Sequence, residues 1–198
     1  MEPIKNNFDF CESSKIVGRP ETKDHFLKLN KLVDIVVSHK DTSDDDVLVF
    51  LDSDSFPVKP LNNFIESKLN DYPLIAIQRV ENAGDVIPHP SFTACRVNFW
   101  RDHELDWKWE SIDSGLGRQD AGGYLYGYLL KKNINWYKIK RTKSLTNHPV
   151  FYTYYEDIIY HHGAGSRDRI TRLDILRGGA PNQDTEDKIF QKVLNRKV

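Results

Sequence analysis

Val47-Leu48-Val49-Phe50-Leu51, followed at once by Asp52-Ser53-Asp54, is the stretch on which the fold turns. Five consecutive apolar residues, bounded by charge on both sides, predict a short strand buried on both faces, the usual state in a parallel sheet covered by helices. Upstream, Phe26, Leu29, Leu32, Val33, Val36 and Val37 recur at spacings of three, four and seven and predict one apolar helix face running from Thr22. Glu21 or Thr22 supplies an oxygen acceptor at its entry, and Lys23, Lys28 and Lys31 point in other directions. A polar loop, Asp41 to Asp46, separates this helix from the strand.

Downstream, Phe56-Pro57 is expected to turn the chain, 61–69 to form a short helix, and Leu74-Ile-Ala-Ile77 a second buried strand. Residues 79–91 suggest a long loop, 91–100 an aromatic strand, 120–132 a helix and 134–139 a strand. Residues 151–161 are aromatic and β-branched. A terminal amphipathic helix within 180–198 would carry Ile189, Phe190, Val193 and Leu194. Strands alternating with helices predict an α/β fold over a single domain, 1–198, of Rossmann-like type with a mostly parallel sheet flanked by helices. Ligands of such sheets bind at the carboxyl ends of the strands, where Asp52 and Asp54 stand.

The chain has 198 residues, of which 39% are apolar, and a formal net charge of -1. That balance excludes non-specific nucleic-acid binding, which needs a surplus of Lys and Arg. Cys11 and Cys95 have no metal-ligand spacing, which favours a reducing compartment over a disulfide or zinc framework. No run approaches the ~20 apolar residues of a membrane-spanning helix, and residues 1–7 lack the apolar centre of a signal peptide. A soluble, cytoplasmic protein is the expectation.

Two carboxylates one residue apart repel each other unless a cation lies between them. Hard Mg²⁺ or Mn²⁺ prefers such oxygen donors together with substrate phosphates. The plainer role for Asp52 and Asp54 is that of solvated turn residues leading into the next helix.

Val-Leu-Val-Phe-Leu-Asp-Ser-Asp-Ser-Phe-Pro, residues 47–57, resembles the DxD segment of GT-A nucleotide-sugar glycosyltransferases of the family-2-like kind. The resemblance implies that Asp52 contacts ribose and metal, and that Asp54 binds a metal bridging the diphosphate of a UDP- or GDP-sugar. Gly117-Arg-Gln-Asp120-Ala-Gly-Gly-Tyr-Leu125 resembles the family's second signature, in which the carboxylate, here Asp120, is the general base of an inverting transfer to a carbohydrate hydroxyl. Asp120 also suits a helix N-cap. A late histidine often completes the metal site in this family. Successive strand side chains alternate in direction, so one of His161 and His162 is expected there, with His162 favoured for its place beside Gly163-Ala-Gly165. Arg167, Arg169 and Lys23 are candidate cations for the diphosphate. Trp100, Trp107 and Trp109 would flank the acceptor region in this fold, where they either stack on a sugar or fill the core, and His89, between Pro88 and Pro90, fits a site loop better than the core.

The resemblance covers about residues 20–170. It lacks part of the family's N-terminal nucleotide-binding βαβ unit, of which Ser14-Lys-Ile-Val17 resembles a remnant, so the expectation is either a truncated chain or a partner or oligomer that completes that side. The competing expectations are a catalytically silent GT-A-like binding module and another metal-dependent nucleotidyl or phosphoryl transferase.

Overall fold

The computed structural model describes residues 23–81, 84–108, 121–145, 148, 151–163, 188, 191–193 and 195. The elements are α1 (Lys23–Val37), β1 (Val47–Leu51), β2 (Ser55–Pro57), α2 (Asn62–Leu69), β3 (Leu74–Ile77), β4 (His89–Arg96), α3 (Val97–Asp102), α4 (Gly123–Lys131), β5 (Tyr137–Ile139), β6 (Arg141–Ser144), β7 (Thr153–Tyr155) and β8 (Ile159–His161). They build two four-stranded sheets, in the orders β1-β4-β3-β5 and β2-β8-β7-β6.

The class is mixed α/β, but the sheet differs from the mostly parallel one expected. In the first sheet β4 pairs antiparallel with both β1 and β3, and only β3 and β5 pair in parallel. Because β1 and β3 both oppose β4, the strands β1, β3 and β5 run in one direction with β4 inverted among them. The second sheet is antiparallel throughout. The turn expected at Phe56-Pro57 is instead strand β2, and the aromatic strand stops at Arg96. There, the N–H groups of Val97 and Asn98 donate to the carbonyls of Asp46 and Asp44 and open α3.

Strand alternation sorts the core. Leu48, Phe50, Leu74, Ala76 and Cys95 take one face of the first sheet and pack against Val33 of α1, Leu125 and Leu129 of α4, and Trp100 and Trp107. Phe50 meets the Trp100 and Trp107 rings at centroid separations of 4.8 and 5.0 Å. Full burial of a ring of that size contributes about 1.5–3 kcal/mol. Trp100 and Trp107 therefore serve the core rather than an acceptor surface, and Trp109 lies outside the described residues. Ile75, Ile77, Phe92, Ala94 and Ile139 take the other face, against Ile65 of α2 and Tyr155 and Ile159 of the second sheet. β3 is buried on both faces as expected, but β1 is not: Val49 and Leu51 remain 40% and 44% exposed. In the stretch expected to form a terminal helix, residues 188 and 191–193 are helical, and Val193 packs under Phe151, Tyr152, Tyr154 and Tyr160. No helix among the described residues is long and apolar enough to cross a membrane.

Cys95 is buried in β4, one of the two inner strands, and burial pushes its thiol well above the usual range. The thiolate is the reactive form. Folded Cys11→Ser protein should therefore react with a disulfide reagent only as it unfolds. Fast stoichiometric labelling under native conditions would show that β4 opens locally.

Candidate metal centre

The acidic turn joins the two sheets. β1 ends at Leu51, the Ser55 N–H donates to the Asp52 carbonyl at 2.9 Å, and the chain re-enters as β2 of the second sheet. Register then selects the third member. Ser55 lies opposite His161 in the antiparallel β2–β8 pair, and the His162 N–H donates to the Asp54 carbonyl at 2.8 Å. His161 consequently stands beside Asp54, with Nε2 3.5 Å from Oδ1. One ligand atom from each of Asp52, Asp54 and His161 falls within 4.8 Å of the other two.

The expectation that favoured His162 is reversed by this geometry. The period of two sends odd-numbered β8 side chains towards the first sheet and even-numbered ones away from it. His161 is 4% exposed and faces His89, at a centroid separation of 6.1 Å. His162 turns to the opposite face, where Nδ1 lies 3.0 Å from the Tyr160 hydroxyl and the ring meets Tyr152 edge-on. Burial first, then Tyr154, Tyr152 and the Asp54 charge, push the Tyr160 phenol above its usual range, so it stays a neutral hydroxyl.

The carboxyl ends of β1, β3 and β5 lie at one edge, and the inverted β4 brings its amino end there too, with Ile77 opposite both His89 and Ile139. The pairing slips between Ala76 and Ile77, where β4 carries extra residues that include Pro90. Proline cannot donate to a ladder, so it fits such a bulge. Side chains hold the bulge instead. His89 Nδ1 accepts the Ser91 N–H at 3.1 Å and lies 2.7 Å from Ser91 Oγ, and the Thr93 hydroxyl donates to the His89 carbonyl at 2.9 Å. The bulge thereby aims His89 across the edge at His161. Beside it, Arg79 and Asp85 form a buried ion pair at 3.4 Å, and Asp85 also accepts the Ile87 N–H.

His25, which the periodicity did not single out, also reaches the centre: its Nε2 lies 3.4 Å from Asp52 Oδ1. The available signal was its place in the 25-29-33 stripe of α1, a polar residue on an apolar face. Asp120, Arg167 and Arg169 lie outside the described residues, as does the side chain of Lys23, which opens α1. Helix α4 begins after Gly122, which fills the N-cap position that Asp120 was expected to suit.

Chemically, two partly buried carboxylates and one buried imidazole form an oxygen-rich set with one nitrogen. Carboxylate oxygens suit Mg²⁺ and Mn²⁺, and the imidazole shifts preference from Mg²⁺ towards Mn²⁺ and other transition ions. Ligand atoms on opposite sides of such an ion stand about 4.2 Å apart, from metal–oxygen distances of about 2.1 Å. The observed cluster is within a small side-chain closure of that size. Comparison with protein families, with characterised proteins and with solved structures gives no significant match to this chain.

Proposed function

We propose that this chain is a metal-dependent glycosyltransferase of the GT-A kind, moving a sugar from a nucleoside-diphosphate sugar such as a UDP- or GDP-sugar to an acceptor hydroxyl. The observation that carries this reading is the convergence of Asp52, Asp54 and His161 where β1 ends, at the edge that collects the carboxyl ends of three co-directional strands. Ligands of open α/β sheets bind at that edge. The resemblance of residues 47–57 to the DxD segment supplies the reaction class.

In this reading Asp52, Asp54 and His161 hold one Mn²⁺ or Mg²⁺, and His25 lies next to Asp52 on the solvent side. The ion, when bound, neutralises the diphosphate charge that grows as the sugar leaves. Asp120 is the proposed base that takes the proton of the attacking hydroxyl. Two residues on, Gly122 packs against the Pro88 carbonyl next to His89.

Chromatographic assay with UDP- and GDP-sugars and Mn²⁺ tests it. The expected result is metal-dependent release of nucleoside diphosphate, lost in Asp54→Ala and lowered roughly 10²–10⁴-fold in Asp120→Asn. Pyrophosphate as the product would assign a nucleotidyl transferase instead. Equal, negligible binding of nucleoside diphosphate by wild type and Asp54→Ala would overturn the donor-binding claim.

A further inference from the structure

Two buried polar atoms in neighbouring positions have no hydrogen-bond partner among the described residues: Ser55 Oγ and His161 Nδ1. Their residues are 3% and 4% exposed. Buried hydroxyl and imidazole groups in folded proteins are normally paired, and a pair of orphans side by side calls for a cause.

The ladder shows how close they stand. The His162 N–H donates to the Asp54 carbonyl at 2.8 Å, and the Val58 N–H to the Ile158 carbonyl at 2.7 Å, which marks 54:162 and 58:158 as hydrogen-bonded pairs. Such pairs alternate with non-hydrogen-bonded ones in an antiparallel ladder, so 55:161 belongs to the second kind. In that kind the Cα atoms approach to about 4.5 Å and the side chains project together on one face. The same holds on the other flank of β8: the Tyr152 N–H donates to the His162 carbonyl at 3.0 Å, and Thr153 faces His161. The two flanking hydroxyls differ in one respect. The Thr153 hydroxyl donates to the Phe151 carbonyl at 3.1 Å, whereas the Ser55 hydroxyl has no partner among the described residues.

With Nε2 turned to Asp54, the His161 ring carries its proton on Nδ1 whenever Nε2 ligates a cation. A ligating histidine normally donates that second N–H to an oxygen acceptor, which locks tautomer and ring orientation. We infer that Ser55 is the positioning residue for His161: its hydroxyl oxygen receives the His161 Nδ1–H, directly or through one water, and holds Nε2 towards the acidic pair. The residue that follows the Asp-Ser-Asp turn thus acts on the ligand supplied by β8, across the strand pair that brings them together. This inference rests on the metal-centre reading above.

Calorimetric titration of the full chain with Mn²⁺ tests it, alongside metal-free melting curves. Ser55→Ala should weaken Mn²⁺ binding roughly 10- to 100-fold, while Ser55→Thr, which keeps the hydroxyl, should restore most of that loss. Thr153→Val should leave the affinity unchanged even if it lowers the melting temperature. Should Ser55→Ala fail to fold, Ser55→Cys keeps the volume with a weak acceptor and is expected to show the same weakening. Wild-type affinity in Ser55→Ala or Ser55→Cys overturns the role of Ser55, as does a loss caused by Thr153→Val. Absence of Mn²⁺ binding by wild type overturns the metal centre and this role together, and the wild-type titration alone identifies that case.

Discussion

Mn²⁺ at about 100 times its dissociation constant should stabilise the wild-type chain by about 2.7 kcal/mol, because a ligand that binds only the folded state shifts the equilibrium by mass action. For a chain of 198 residues that gain corresponds to a rise in melting temperature of roughly 5–11 °C. The Asp54→Ala protein should lose nearly the whole shift. Asp54 is the member of the cluster nearest His161, and without it the remaining carboxylate and imidazole offer too few donors to displace water from the ion. Melting the variant without metal separates any structural effect of the substitution from the loss of the ion. At equal concentration Mn²⁺ should stabilise more than Mg²⁺, and His161→Ala should narrow the difference, since the imidazole is the donor on which the two ions differ most. Equal shifts in wild type and Asp54→Ala, followed by calorimetry, would place the ion elsewhere.

Gly122→Ala should cost roughly 2–4 kcal/mol of stability, read as a lower midpoint of denaturant unfolding at unchanged slope. Gly122 has φ of 98°, a region that L side chains rarely adopt. A β-carbon there would lie 2.4 Å from the Pro88 carbonyl oxygen and 3.3 Å from the Trp107 ring. Neither neighbour can yield cheaply: one is backbone, and the other is a buried ring packed against Phe50 and Trp100. Relief requires the Pro88-His89 segment to move, and His89 faces His161. The substitution should therefore also weaken Mn²⁺ binding. A stable Gly122→Ala protein with wild-type metal affinity would show that the start of α4 and the bulge of β4 are not mechanically joined.

Much of the scaffold was legible residue by residue. The 26-29-33-37 stripe marked α1, and the apolar runs at 47–51 and 74–77 marked β1 and β3. The second sheet was legible only in the aromatic, β-branched stretch 151–161, which holds β7 and β8. β2 is only three residues long and β6 reads Arg-Thr-Lys-Ser, so neither marked itself by an apolar run or clean alternation. Its strands exist because the pairing of β2 with β8, and of β7 with β6 and β8, satisfies backbone groups that the local sequence leaves open. Burial of β1 on both faces was a reasonable expectation from five apolar residues. It failed because neighbours, not composition, decide what covers a strand, and β1 is the outermost strand of its sheet among the described residues.

The sequence by itself placed two carboxylates at the end of a strand, since local hydrophobicity and charge suffice to end a strand there. The family resemblance pointed to His161 and His162 for a further ligand, and the period of a strand admits only one of that adjacent pair. Which of the two turns inward depends on register with Ser55, a residue more than a hundred positions away, and no local pattern carries that information. Tertiary structure alone settled it, choosing His161, and alone revealed the buried hydroxyl beside it and His25 at the outer side of Asp52. Long-range strand pairing fixes those contacts, and the chain declares them only once it is folded.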